Sequence, residues 1–327
     1  MKKVVLTLFA MAAMIACNNT EIIDVGGKLT NAITFNNVNT RAGLNDLKTN
    51  GFGVWAVINN ELQSNYLLMD NQKVEYTGGE WGYSPTQYWV DNTAYSFVAV
   101  WPYGDSAYTL ANNTVKLTVS ETPATTDYLV ATNITDTGAA DGYSSTVVLD
   151  FQHVLTSVGV KIWRDGGKHQ NDQMRIRKVT IGNIRKAGTY SVATGAWEYT
   201  TDKLTQVHEN NNVTDSDNIG GVTKQGDSYT YGGVGYDPFG EVLLIPQTLD
   251  ADNTISLKIT YELKRNNAAS WETAELETVL PAIEWIGGQK YTYNVVLSSV
   301  TDITVYYIQT TVDPWGTPQV GGTVIIK

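Results

Sequence analysis

The sequence has little cysteine, little histidine and few long hydrophobic runs, and each shortage excludes a class of protein. Its single cysteine, Cys17, excludes a framework of internal disulfides. The three histidines, His153, His169 and His208, have no metal-ligand spacing to one another or to Cys17. Beyond residue 16, no stretch approaches the ~18 apolar residues that a transmembrane helix needs.

Positive charge is also scarce. The chain has 22 lysines and arginines against 33 aspartates and glutamates, which gives a formal net charge of −11. A strongly acidic surface repels phosphate backbones and anionic membrane faces. We therefore expect no nucleic-acid partner.

Residues 1–16 have the pattern of a secretory signal peptide. Lys2 and Lys3 form a basic start, and residues 4–14 form a short apolar stretch that is followed by small residues. An apolar stretch of this length is too short to span a membrane. The pattern predicts an exported protein.

The letters "MIAC" at the end of this signal resemble the lipobox of bacterial lipoproteins, with Met14 in place of the usual leucine. The resemblance predicts cleavage between Ala16 and Cys17 and attachment of an acyl chain, such as palmitate, to Cys17. Residues 17–27 would then be a lipidated linker. The alternative is an ordinary signal peptide that happens to contain a cysteine.

Alternation of apolar and polar residues dominates the rest of the chain and predicts an all-β fold of antiparallel sheets. In "ISLKITYEL", every second residue from Ile255 to Leu263 is apolar. The same alternation occurs in "AYSFVAVW", "TVKLTV", "STVVLDF", "VGVKIW", "KYTYNVVL" and "ITVYYI". Helical periodicity is limited to one turn in "GLNDLKTN".

A polar, glycine-containing stretch at 132–145 is the predicted boundary between two β-sandwich domains. We expect an N-terminal domain over residues 28–140 and a C-terminal domain over residues 145–327. The polar stretch 201–235 is typical of an extended loop or a hairpin.

Candidate chemistry is sparse. His153 lies near Asp150 and Ser157 in the sequence, as a catalytic triad would require, but its strand context favours a structural histidine. No paired carboxylates or phosphate loop stand out from the background. We therefore expect no enzyme activity and no cofactor.

Two acidic clusters, 215–221 and 250–253, are candidate calcium loops. The twelfth position counted from Asp215 is Gly226, which excludes an EF-hand loop because that position needs a glutamate. Solvated turns are the preferred interpretation, and we expect no metal site.

The chain has 9 tryptophans and 19 tyrosines, which either fill the cores or present ring faces to sugars. Alternation favours a core position for Tyr95, Phe97, Trp101, Tyr291 and Tyr293. Trp81 and Trp197 lie beside turns and fit either role. Exposed tryptophans would favour an alternative function, a surface glycan-binding lipoprotein.

Several landmarks occur in a fixed order along the chain: "ITF", "TRA" at Arg41, "FGVWAV" at 52–57, "QYWVDNTAYSFVAVWPY" at 87–103, "LDFQHVLTSVGVKI" at 149–162 and "WIGGQKYTYNVVL" at 285–297. Together with the lipobox they resemble the fimbrillin family. Its members are lipoprotein subunits and accessory proteins of the type V pili of some diderm bacteria.

The resemblance implies two tandem transthyretin-like β-sandwiches that polymerise by donor-strand insertion. An arginine-specific protease would cut between Arg41 and Ala42 and remove the first strand, which contains Ile33 and Phe35. On residue identity alone, a surface arginine that follows an edge strand is the preferred interpretation of Arg41, and the resemblance brings processing level with it. A cut chain would be a polymerising pilin, whereas an uncut chain would be an anchor subunit or the glycan-binding lipoprotein.

The strand that enters the neighbouring subunit has two candidates. The first is the alternating stretch 303–312, and the second is the tail with Val324, Ile325 and Ile326. The tail beyond "DPWG" is short for a donor strand, which leaves stalk, tip and anchor subunits open.

The resemblance also implies where the protein works. It would lie on the outer membrane, at the cell surface or in a fimbrium, and support adhesion to a host or bacterial receptor. Periplasmic retention is the alternative, because few acids follow Cys17. The letters "DSA" around Ser106 resemble an O-glycosylation signal of such bacteria.

Overall fold

The computed structural model describes residues 29–35, 37–40, 44–59, 64–90, 92–135, 146–212, 214, 218–225, 228–298, 303–311 and 319–324. Within these ranges the chain forms 26 strands and one helix, which confirms the predicted all-β fold. Most strand pairs are antiparallel. The predicted helical turn in "GLNDLKTN" is present as α1 (Leu44–Asn50).

The first large sheet has seven strands. In spatial order they are β2 (Asn37–Thr40), β11 (Val148–His153), β10 (Leu129–Thr135), β7 (Ala94–Trp101), β3 (Phe52–Asn59), β4 (Tyr66–Thr77) and β5 (Glu80–Gly82). Strands β2 and β11 are parallel, and the other neighbours are antiparallel. The interior strand β3 is buried along almost its whole length, because both faces of the sheet are covered.

Different layers cover the two faces. Phe52 and Phe97 pack beneath β1 (Leu29–Ala32), β6 (Tyr88–Val90) and α1, in what we call the first core. Trp55 and Val100 point to the opposite face and pack against a second sheet. This sheet has the order β15 (Ala196–Tyr199), β14 (Gly188–Ser191), β9 (Thr114–Val119) and β8 (Tyr108–Ala111).

The remaining strands form a sandwich. One sheet has the order β18 (Ser228–Gly232), β17 (Gly221–Gln225), β12 (Thr156–Asp165), β24 (Gln289–Leu297), β25 (Ile303–Thr311) and β26 (Gln319–Val324), with β19 (Glu241–Leu244) also on β12. The other has the order β16 (Lys203–Glu209), β13 (Gln173–Arg185), β21 (Ser256–Lys264) and β22 (Glu272–Val279). A two-stranded sheet pairs β20 (Gln247–Leu249) with β23 (Ile283–Trp285).

Four of the five predicted core aromatics are buried. Tyr95, Phe97, Tyr291 and Tyr293 are at most 1% exposed, which confirms the prediction from alternation. Trp101 is only half-buried and packs at the margin of the first core. Its position at the end of β7, next to a turn, explains the difference.

The polar stretch 201–235 contains more regular structure than the expected loop or hairpin. It includes strand β16 on β13 and the hairpin β17–β18. Buried Ile219 and Val222 anchor this stretch, although most of its other residues are polar. Because so few of its residues are apolar and buried, the sequence of this stretch did not show the alternation that indicates strands.

Pairing between the two halves of the chain is extensive. Strand β11 follows the predicted boundary at 132–145 in the sequence, yet it pairs with β10 and β2 in the first sheet. Strand β14 lies still later and pairs with β9. The structure describes no residues from 136 to 145, so the domain limits remain a prediction.

The described residues contain neither a membrane-spanning helix nor a cluster of metal ligands. No helix among them has the length and apolar character needed to cross a bilayer. Within the same ranges, no group of histidine, cysteine or acidic side chains gathers closely enough to hold a metal ion.

An ionic group stabilises the outer face of the sandwich. Glu262 on β21 is 9% exposed, and its two oxygens accept hydrogen bonds from Arg175 Nε at 2.6 Å and Arg177 Nε at 3.0 Å. Burial by itself would raise the pKa of the Glu262 carboxyl, but these bonds outweigh burial and lower that pKa. The Arg175 guanidinium also lies 3.8 Å above the centre of the Trp271 ring.

We predict that Glu262→Gln lowers the free energy of unfolding at pH 7 by about 1.5–3 kcal/mol, the range for hydrogen bonds to charged groups. Because the native pKa of Glu262 is lowered, its stabilising effect exists above the unfolded-state pKa of about 4.3 and disappears at lower pH. Urea unfolding between pH 7 and pH 3 measures this. Glu277→Gln on the exposed side of β22 is the control. An equal pH dependence of variant and wild type would contradict the account.

Candidate functional site

Residues 29–40, which we call the N-terminal segment, pair with two different layers of the molecule. Strand β1 lies antiparallel to β6, with Leu29 opposite Val90. Strand β2 lies parallel to β11, with Asn37 opposite Val148. The segment therefore crosses from the covering layer to the edge of the first sheet.

Backbone and hydroxyl bonds hold the middle of the segment. The Ile33 amide donates to the Gln87 carbonyl at 2.9 Å, and the Ile33 carbonyl accepts from the Tyr83 hydroxyl at 2.9 Å. The Val147 amide donates to the Thr34 carbonyl at 2.8 Å. Two separate parts of the chain, the stretch that contains Tyr83 and Gln87 and the residue Val147, therefore fix these two residues.

Burial keeps the Tyr83 hydroxyl in its donating form. Removal of the phenol from water raises the pKa of Tyr83 to about 12, because the phenolate would be poorly solvated there. The bond from Tyr83 to Ile33 is thus maintained at every physiological pH.

Phe35 is the central apolar contact of the segment. Its ring is 1% exposed and makes edge contacts with Tyr83 at 5.5 Å, Phe97 at 6.1 Å and Phe52 at 6.4 Å between ring centres. Such edge-to-face pairs add about 0.5–1.5 kcal/mol each to the gain from burial. Phe35 therefore completes an aromatic cluster that β3 and β7 begin.

Removal of the segment would expose a groove. Burial of Ile33 and Phe35 together contributes on the order of 3–6 kcal/mol. Val38, which packs at the margin of the first core, adds a smaller share. Loss of β2 would also leave β11 as an unpaired edge, and such an edge accepts an added strand.

The predicted processing and lipidation residues lie outside the described residues. Arg41 and Ala42 fall in the sequence between Thr40, the last residue of β2, and Leu44, the first of α1. Ala16 and Cys17 precede the first described residue. Cleavage and lipidation therefore stay predictions.

Both candidate donor strands lie at one edge of the sandwich. Strand β25 pairs antiparallel with β24, from Leu297 opposite Ile303 to Gln289 opposite Thr311. Strand β26 pairs with β25 as the outermost strand. Ile325 and Ile326 lie outside the described residues.

Ser106 lies in the turn between β7 and β8 and is exposed. The Asp105 carboxylate accepts the Ala107 amide at 2.8 Å and so shapes this turn. The Ser106 hydroxyl is therefore open to solvent, and its glycosylation stays a prediction.

His153 has a different partner from the two residues considered in the sequence. Its Nδ1 lies 2.7 Å from an oxygen of Asp127, and its side chain is 8% exposed. Asp150 is exposed on β11, whereas Ser157 is buried on β12. The pair of His153 and Asp127 fits the structural interpretation of this histidine.

A family profile described as fimbrillin-like matches residues 40–315, well over half of the chain. The chain belongs to the fimbrillin-like family. A search of curated proteins finds no match.

Solved structures show the same fold as this fimbrillin-like chain. A fimbrial protein from Bacteroides vulgatus superposes with a TM-score of 0.62 at 18% identity, covering 88% of this chain and 100% of that one. A candidate cell adhesion protein from Bacteroides uniformis gives a TM-score of 0.50 at 18% identity, covering 87% and 99%. At 18% sequence identity, the likeness to these two structures shows a shared fold.

Trp81 and Trp197, which by sequence could either fill a core or bind a sugar, differ in their surroundings. Trp81 is half-buried at the margin of the first core, with ring centres 5.0 Å from Phe52 and 5.0 Å from Tyr76. Trp197 is also half-buried, but it lines an open cleft. Only Trp197 is placed to meet a ligand in such a cleft.

The sequence did not indicate the residues that receive the N-terminal segment. Tyr83, Gln87 and Val147 lie 50 or more positions from Ile33, and no spacing rule connects them to it. Phe52 and Phe97 were visible only as members of alternating strands.

We predict that Phe35→Ala lowers the free energy of unfolding of the first core by about 3–5 kcal/mol, the usual cost of deleting a buried phenylalanine. Asn45→Ala on the exposed side of α1 is the control and should change it by less than about 0.5 kcal/mol. Urea unfolding followed by tryptophan fluorescence measures both. A loss below about 1 kcal/mol for Phe35→Ala would contradict the central position of this ring.

Proposed function

We propose that this fimbrillin-like protein is a non-enzymatic structural subunit of a fimbrium at the cell surface. Family membership supports this assignment, and so does the fold shared with a fimbrial protein from Bacteroides vulgatus. In this proposal the chain is exported as a lipoprotein acylated at Cys17. Other fimbrial subunits are its partners, and the fibre supports adhesion.

The proposed assembly step begins with a cut between Arg41 and Ala42. The observation that carries it is the N-terminal segment, which alone brings Ile33 and Phe35 into the first core and ends one residue before Arg41. One cut there would detach both β1 and β2 from the rest of the chain. The family match begins at residue 40, so the shared part of the family lies almost wholly beyond this cut.

A strand from another subunit would then occupy the groove. It must supply apolar side chains two residues apart, as Ile33 and Phe35 do, and pair with the free edge of β11. Strand β26 is the outermost strand of its sheet and β25 lies between it and β24, so release of β26, or of both strands, would leave the core strand β24 in place. Each subunit would thus offer a groove at one end of its sequence and a strand at the other.

We predict that Arg41→Ala yields a folded protein that keeps its N-terminal segment and forms no fibres, because the groove stays filled. Arg265→Ala is the control, since this arginine is exposed and lies 3.9 Å from Glu272, far from the N-terminal segment in the sequence. Electron microscopy of fibres and the mass of the surface protein measure the outcome. Normal fibres from Arg41→Ala would refute the cleavage step.

A peptide of residues 29–40 provides a second test. Added to trimmed protein before assembly, it should fill the groove and inhibit fibre growth. A peptide with Phe35→Ala should inhibit at least tenfold less, because it lacks the ring that completes the aromatic cluster. Equal inhibition by both peptides would argue against insertion into this groove.

A further inference from the structure

A cleft of about 330 Å³ lies where the hairpin β14–β15 faces the two-stranded sheet β20–β23. Its volume falls in the range of about 300–1,000 Å³ that is typical of small-ligand sites. No residue of the N-terminal segment lines it. The cleft is therefore separate from the groove proposed for assembly.

Aromatic rings form one wall. The centres of the Trp197 and Tyr190 rings lie 5.3 Å apart, with their planes inclined by 46°. The Tyr199 ring is 38% exposed, and the Arg185 guanidinium lies 4.1 Å from its centre. Because the Tyr199 hydroxyl also donates to the Pro246 carbonyl at 2.8 Å, this ring is fixed before any ligand arrives.

Hydrogen-bonding side chains face the rings. Glu284, Gln152 and Thr248 are exposed and line the cleft with a carboxylate, an amide and a hydroxyl. Burial raises the pKa of the Tyr199 phenol, and the nearby Glu284 carboxylate raises it further, against the opposing charge of Arg185. Glu284 and Tyr199 line the same cleft.

The floor is also polar. Gln247 is 2% exposed, and its Oε1 accepts a hydrogen bond from Asn253 Nδ2 at 3.3 Å. Its Nε2 is buried without a partner in the described part of the chain. The floor thus contains an amide donor that is not used by the fold.

We propose that this cleft binds a neutral saccharide unit. The C–H face of a sugar ring matches the aromatic wall, and its hydroxyls match the carboxylate, amide and hydroxyl groups opposite. Glu284 is the only acid among the lining residues and repels anionic sugars. The many polar groups disfavour an aliphatic lipid chain, which would leave them without partners.

The test measures binding of neutral oligosaccharides, built from hexoses and N-acetylhexosamines, and of sialylated and sulfated oligosaccharides to the purified full chain. Saturation-transfer NMR screens the panel, and calorimetry gives the dissociation constants. Trp197→Ala and Glu284→Gln should each weaken binding at least tenfold. Trp81→Ala and Glu277→Gln, a matched tryptophan and a matched acid outside the cleft, should change it less than twofold. Because Glu284 is exposed, its variant tests the cleft even if Trp197→Ala loses stability.

Three results would overturn the proposal. They are no binding by any neutral oligosaccharide of the panel, binding that persists in Glu284→Gln and Trp197→Ala, and binding restricted to sialylated or sulfated oligosaccharides. Fibre formation is not measured in this experiment. An absence of saccharide binding therefore does not contradict the assembly proposal. Likewise, normal fibres from Arg41→Ala would not contradict saccharide binding by the cleft.

Discussion

Burial of the Ile33 and Phe35 side chains is the interaction on which the first half of the molecule depends. The aromatic cluster of Phe52, Phe97 and Tyr83 closes only when the N-terminal segment lies over it. The same segment pairs with β6 and with β11, so one piece of chain completes both a covering layer and a sheet edge. Without the segment, the aromatic cluster would be open and β11 would be an edge strand.

The other cores of the molecule do not contain residues of the N-terminal segment. The first sheet is covered on its other face by β8, β9, β14 and β15, which pack against Trp55 and Val100 without using the N-terminal segment. The sandwich has its own core around Tyr291 and Tyr293. Loss of the segment would therefore open one groove and leave the other cores closed.

Much of the fold could be predicted from the sequence because alternation is a local property. The strands at 94–101, 256–264 and 289–297 were visible for that reason, and so were four buried aromatics. Pairing across the chain could not be predicted in the same way. Neither the position of β14 on β9 nor the partnership of His153 with Asp127 follows from neighbouring residues. The cleft beside Trp197 could not be predicted from the sequence either, because β15, β20 and β23 are distant in the sequence and come together only in the folded chain.

The central claim is that the N-terminal segment is exchanged for a strand of another subunit. The most direct measurement is the N-terminal sequence and intact mass of the protein in fibres isolated from washed cell envelopes. The account predicts chains that begin at Ala42 and lack Ile33 and Phe35. Fibre chains that begin at an acylated Cys17 would contradict it, because the groove of every subunit would still hold its own strand.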